Sequence, residues 1–270
     1  MRYAPLVFMI AACGGGDDSP SNPRDDGGII EPSPDAMPDA RVPITTHRGL
    51  VQAVAIGSTS GQLAAGFYET PTTAAGCTWT YSGPCSLTTC VGAGITAADA
   101  GVITGMIGTN AVTLTPANAT YNQTSAGALT PGTAIQVSAA GNTVPAFTAG
   151  PVTMPTAVAV TAPTTGSMLS KASALTTTWT AGTGDVYVNL SQMTNGGPYP
   201  ASHARTIRCT FPSQDGTATV PADMIGGLES GMSVQLVVGG VDLTTVVSGA
   251  YEIELRALAV DSVRQLNVVP

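Results

Sequence analysis

Between Arg48 and Asp185 the chain carries only three charged residues, Glu69, Asp99 and Lys171. The polar side of every element in that stretch must therefore come from Thr, Ser, Asn and Gln. Threonine is branched at Cβ and suits a pleated, half-buried surface better than a helix. Short runs with apolar residues recur through this stretch, separated by Gly, Pro, Asn and Ser: Leu50–Ile56, Leu63–Tyr68, Cys77–Tyr81, Cys85–Val91, Val102–Ile107, Val112–Thr115, Ala134–Ala139 and Val144–Thr148. Many short strands at near-regular spacing predict a sandwich or a barrel.

The second half alternates more plainly. Leu175, Thr177 and Trp179 share one face, as do Val186, Val188 and Leu190. Tyr251, Ile253, Leu255 and Ala257 share another, with Glu252, Glu254 and Arg256 facing away. Gly239-Gly240, between two apolar runs, reads as a tight hairpin. The one expected helix covers Ala222–Leu228, opened by Pro221. Pro145, Pro151 and Pro155 crowd around Gly150-Pro151 and suggest a division there. The expectation is an all-β protein with two β-sandwich-like domains, residues 47–150 and 151–270, after a disordered N-terminal tether. Leu175-Thr-Thr-Thr-Trp179-Thr resembles the Trp-bearing B strand of fibronectin type III domains. Ser248-Gly-Ala-Tyr251-Glu-Ile-Glu-Leu-Arg-Ala257 resembles their F strand with its corner tyrosine. The resemblance implies an immunoglobulin-like sandwich over 152–270, although Thr194–Gly231 is longer than in that family. Such a fold specifies no function.

The first residues have a different character. Arg2 precedes an apolar stretch, Ala4–Ala12, of signal-peptide length and too short to span a bilayer. Ile10-Ala11-Ala12-Cys13 resembles the lipobox of bacterial lipoprotein precursors, and the overall texture is similar to envelope lipoproteins of myxobacteria. The resemblance implies a signal peptide over 1–12, cleavage before Cys13, a diacylglyceryl group on the Cys13 thiol and acylation of the freed amine. Two or three acyl chains anchor stably where one does not. Gly14 is not the aspartate that retains many such proteins on the inner membrane, so the resemblance points to the outer membrane. Residues 13–46 read as a lipidated cysteine and a disordered linker rich in Gly, Pro and Asp, with seven acidic residues and only Arg24 and Arg41 against them. A flexible chain of that length spans roughly 30 Å.

Setting Cys13 aside leaves Cys77, Cys85, Cys90 and Cys209, an even set in an exported protein, which suggests disulfides. If Gly83-Pro84 is a two-residue turn, Ser82 faces Cys85 and Cys77 faces Cys90. The latter falls at a non-hydrogen-bonded pair, within disulfide reach. Cys85 is then left for Cys209. A zinc site is the other reading of these residues.

No G-x-S-x-G elbow, phosphate loop or dinucleotide fingerprint occurs. His203 beside Ser202 and His47 at the linker border are isolated histidines. Glu69 and Asp99 are the only acids of the first half. Trp79 and Tyr81 share a face of the cysteine hairpin. Exposed, they make a binding platform for sugar or peptide; the favoured alternative is that they are core, because Cys77 lies on the same face. With a net charge of −8 and no basic patch, nucleic acid is not an expected partner. No cofactor or metal is expected. The expected role is a lipid-anchored envelope protein that binds carbohydrate or another envelope protein, adheres or scaffolds. The rival is a hydrolase or accessory protein acting on polysaccharide.

Overall fold

The computed structural model describes residues 47–56, 60–69, 77–90, 96–121, 124–193 and 204–270. Cys13, the linker, Ser202 and His203 lie outside them. Within them the chain is nearly all strand. In order, β1 is His47–Ile56, β2 Ser60–Glu69, β3 Cys77–Ser82, β4 Cys85–Cys90, β5 Thr96–Ala97, β6 Ile103–Ile107 and β7 Asn110–Leu114. Next come β8 (Pro116–Ala117), β9 (Thr120–Tyr121), β10 (Thr124–Gly127), β11 (Ala134–Ala139), β12 (Phe147–Thr153) and β13 (Val160–Ala162). Then follow β14 (Met168–Ser170), β15 (Leu175–Trp179), β16 (Asp185–Met193), β17 (Ala204–Pro212) and β18 (Thr217–Val220). The helix α1 is Ala222–Gly226, starting where Pro221 predicts, and the chain closes with β19 (Ser233–Ser248) and β20 (Tyr251–Val269).

One long sheet runs β10-β2-β1-β20-β19-β16-β17-β4-β3, with β5 on β2 and β14 on β20. β1 pairs with β20 in parallel, His47 opposite Tyr251, so strands from the two ends of the described chain lie side by side. The sheet β12-β11-β6-β7 and the sheet β13-β15-β18 form the other layers. The arrangement is sandwich-like, as expected. Gly150-Pro151, where the sequence suggests a division, falls inside β12.

Two apolar cores lie along one face of the long sheet. The first joins Val51, Ala53, Leu63, Phe67, Ile253 and Leu255 to Ile103, Ile135, Val137 and Val152 of the four-stranded sheet. The second joins Val186, Val188, Ile207, Leu236 and Val268 to Leu175, Trp179, Val220 and the α1 residues Met224 and Ile225. Each large side chain buried this way contributes roughly 1.5–3 kcal/mol relative to exposure. Trp179 lies in the second core and Tyr251 in the first, so the two aromatic residues that carry the fibronectin resemblance do not share a core.

β20 faces both cores and changes parity between them through one extra residue. Its core-facing positions are odd from Tyr251 to Ala259 and even at Leu266 and Val268. The register jumps between Val238↔Ser262 and Gly239↔Val260, which leaves Asp261 as the bulged residue. β19 keeps its even residues, Val234, Leu236, Val238 and Val246, toward the cores throughout.

Gly239-Gly240 does not form the expected hairpin. The pair lies in mid-strand opposite the bulge, and the hairpin turns instead at Gly249, which has a φ of 59°. A Cβ on Gly239 would fall 2.5 Å from Ala259 O, and one on Gly240 2.4 Å from Thr156 O. Glycine serves close backbone approach here, not a turn. The strand expected at Val144–Thr148 begins at Phe147, with Val144 buried ahead of it. Arg256, expected to face solvent, is 4% exposed. Near the bulge, Val54, Tyr187, Val237, Val241, Leu258 and Val260 form a further cluster on the opposite face of the long sheet. That face is covered here, and alternation alone does not reveal it.

Gly240→Ala should destabilise the protein by about 1–3 kcal/mol, the usual cost of overpacking, read as a lower urea midpoint.

Candidate functional site

The cysteine hairpin is built as its sequence predicts. Gly83, with a φ of 56°, and Pro84 form the turn, and the register runs from Ser82↔Cys85 to Cys77↔Cys90 without a break. Cys85 and Cys209 sit directly opposite each other on β4 and β17 and are joined by a disulfide, with Cα atoms 4.1 Å apart. A four-thiolate zinc site is thereby overturned, because two of the four sulfurs are bonded to each other. Both cysteines are buried in the second core beside Leu87 and Ile207. The side chains of Cys77, Trp79 and Cys90 lie outside the described residues. Tyr81 is 65% exposed. The core reading of the aromatic face therefore fails at Tyr81.

A second polar group caps the end of the first core. His47 on β1 lies between Glu69 on β2 and Tyr251 on β20 in register. The Tyr251 hydroxyl donates to Glu69 Oε1 at 2.6 Å, and the His47 ring meets the Tyr251 ring edge-on, with centroids 4.9 Å apart. Burial, reinforced by the carboxylate, holds the Tyr251 phenol well above its ordinary range.

Asp99 organises a neighbouring loop. Its Oδ1 accepts from Gly101 N–H at 2.7 Å, and its Oδ2 from Asn142 Nδ2 at 2.8 Å. The buried Tyr121 hydroxyl accepts from Ala100 N–H at 2.8 Å. Its one proton lies between Gly101 O at 2.8 Å and Asp99 Oδ1 at 3.1 Å. The Gly101 N–H, helped by Asn142 and Tyr121, holds the Asp99 carboxyl below its usual range despite some desolvation. The Tyr121 ring packs edge-on against Phe67 at 5.7 Å, which ties this loop to the first core. Both acids of the first half are thus acceptors for tyrosine hydroxyls.

On the opposite face of the long sheet, the Arg256 guanidinium lies 4.6 Å over the Tyr187 ring, and its Nε donates to Glu254 Oε1 at 2.6 Å. Burial disfavours this charge, but Tyr187 and Glu254 outweigh it and keep the guanidinium protonated. Arg205 pairs with Glu229 at 2.9 Å, and Gln192 grips the Glu229 backbone with both ends of its amide. Alternation identifies the faces these side chains occupy but carries no signal for these partners. Among the described residues no three His, Cys, Asp or Glu side chains converge as metal ligands, and no helix is long and apolar enough to cross a membrane. No family model matches the chain, and no curated protein matches it.

Two outcomes follow. A carboxylate held low in the folded state stabilises above its unfolded pKa of about 3.9, and that stabilisation is lost as pH falls through the folded value. Asp99→Asn should therefore lower stability by about 1 kcal/mol at pH 7, and the gap to the parent should close in titrations run below about pH 4. Cys85→Ser with Cys209→Ser opens a cross-link spanning 124 residues. Chain entropy puts its loss at up to about 5 kcal/mol, measurable by denaturant unfolding.

Proposed function

We propose that this protein is a lipid-anchored component of a bacterial cell envelope, held on the outer membrane through Cys13, whose all-β body binds, adheres or scaffolds without chemistry of its own. The observation that carries the non-enzymatic part is the engagement of four of its carboxylates. Glu69 and Asp99 hold tyrosine hydroxyls, Glu254 holds Arg256, and Asp242 Oδ2 accepts from Thr153 N–H at 2.7 Å. Groups fixed this way brace strand ends and loops. The exposed Tyr81, on a hairpin clamped by Cys85–Cys209, offers a rigid contact for carbohydrate or another envelope protein. The acidic linker would hold that contact roughly 30 Å from the headgroups. The register of the hairpin also supports a Cys77–Cys90 bond, which would pin β4 on its second side.

The second reading, a hydrolase or accessory protein acting on polysaccharide, draws support from one place. His47, Glu69 and Tyr251 bring an imidazole, a carboxylate and a phenol together. If they perform chemistry, Glu69→Gln abolishes turnover of a polysaccharide and leaves binding unchanged. If they brace the strand ends, the same variant shifts only the unfolding midpoint.

The anchor is tested by Cys13→Ala. The variant should leave the membrane fraction on a carbonate wash and unfold at the midpoint of the parent. The mature parent's N-terminal peptide should begin at Cys13 and carry diacylglyceryl mass. Retention of the variant on washed membranes contradicts the proposal.

A further inference from the structure

The long sheet ends on two edge strands that differ in construction. At one end β10 has four residues, a register shift between Ser125 and Gly127, and a left-handed Gly127. A short, bulged edge of this kind resists pairing with another strand. At the other end β3 has six residues, Cys-Thr-Trp-Thr-Tyr-Ser, in unbroken register with β4. It contains no Lys, no Pro and no bulge, and no charged residue occurs anywhere from Cys77 to Cys90. Thr78, Thr80 and Tyr81 are exposed.

The direction of its backbone groups follows from the neighbouring ladder. The 4.1 Å separation of the Cys85 and Cys209 Cα atoms is that of a non-hydrogen-bonded pair, and Thr210 N–H donates to Pro84 O as such a pair requires. Cys85 therefore directs its own N–H and C=O to Ser82. Alternation along β3 then turns the N–H and C=O groups of Cys77, Trp79 and Tyr81 away from β4. Among the described residues no strand pairs with that side.

We propose that β3 is a self-association edge: two copies of this chain pair antiparallel along Cys77–Ser82, about a two-fold axis at Thr80, and join their long sheets into one. The occupant is a second copy because the edge is neutral. In the two-fold register residue 80 faces its own copy, where a charge would be set against itself and destabilise the pair, and neither Thr80 nor any other residue of this strand is charged although the chain's net charge is −8. The two-fold register sets Thr80 opposite Thr80, Trp79 opposite Tyr81 and Thr78 opposite Ser82, matching small with small and aromatic with aromatic positions. Such a contact is isologous and closes at two copies. The Cys85–Cys209 disulfide fixes β4, and so the edge beside it, before pairing. Six residues a side is a small interface, so the dissociation constant is roughly micromolar or weaker.

The test is sedimentation equilibrium of the full-length chain in detergent, from about 1 to about 500 µM, bracketing that range. The parent should show a monomer–dimer equilibrium. Tyr81→Pro removes one outward N–H without removing a hydrogen bond to β4 and should weaken dimerisation at least tenfold, with the circular dichroism unchanged. Thr80→Lys, which sets two ammonium groups across the axis, should do the same and carries the test if the proline variant misfolds. Oxidised Thr80→Cys should give a covalent dimer. A parent that stays monomeric throughout the range, or a dimer whose affinity neither substitution changes, overturns the proposal.

Discussion

Everything else in the described chain rests on the β19–β20 ladder. It is the longest pairing among the described residues and forms the common floor of both cores. A plain antiparallel ladder would carry one parity of residues to one face along its whole length. The bulge at Asp261 resets that parity on β20, so Ala259 and Leu266 both face inward across it. Gly239 and Gly240 make the bend possible, because the backbones of Ala259 and Thr156 come too close for a side chain. The segment after β12 passes over the same point, with Met154 in the first core and Val158 in the second. β19 reaches both cores with one parity, and the extra residue on β20 keeps its apolar positions on that same face.

That plan bears on the proposed role. A body whose layers share a sheet holds its ends in fixed relation, whereas two domains on a linker move by default. It would present the cysteine hairpin at one end of the long sheet as a rigid contact. The disulfide behind that contact is buried in the second core, away from solvent reductants. The ionic groups elsewhere brace the framework, as Arg256 does over Tyr187 and Asp99 does within its loop.

What the sequence made legible was local. Leu175–Trp179 and Ala134–Ala139 lie where alternation places them, because each is amphipathic on its own. Cys85–Cys209 was legible because a two-residue turn fixes the hairpin register and leaves one pairing over. The parallel pairing of β1 with β20 was not, since it joins strands about 200 residues apart and leaves no local pattern. Gly239-Gly240 misleads for a related reason: two glycines allow a turn or a close approach, and only the distant Ala259 and Thr156 decide between them. Arg256 shows that alternation identifies a face but not whether the face is covered. Tyr81 fails the core reading by the same logic, since its neighbours in sequence cannot show that its strand ends the sheet.

A shared sheet should make the two cores one cooperative unit. Native-state hydrogen exchange across a denaturant series tests it most directly, comparing core amides of β1, in the first sandwich, with those of β16, in the second. If the cores are one unit, both sets open with the same free energy and the same denaturant dependence, equal to those of global unfolding. Opening of either set several kcal/mol below the other, with a smaller denaturant slope, would mean that the cores unfold as separate units.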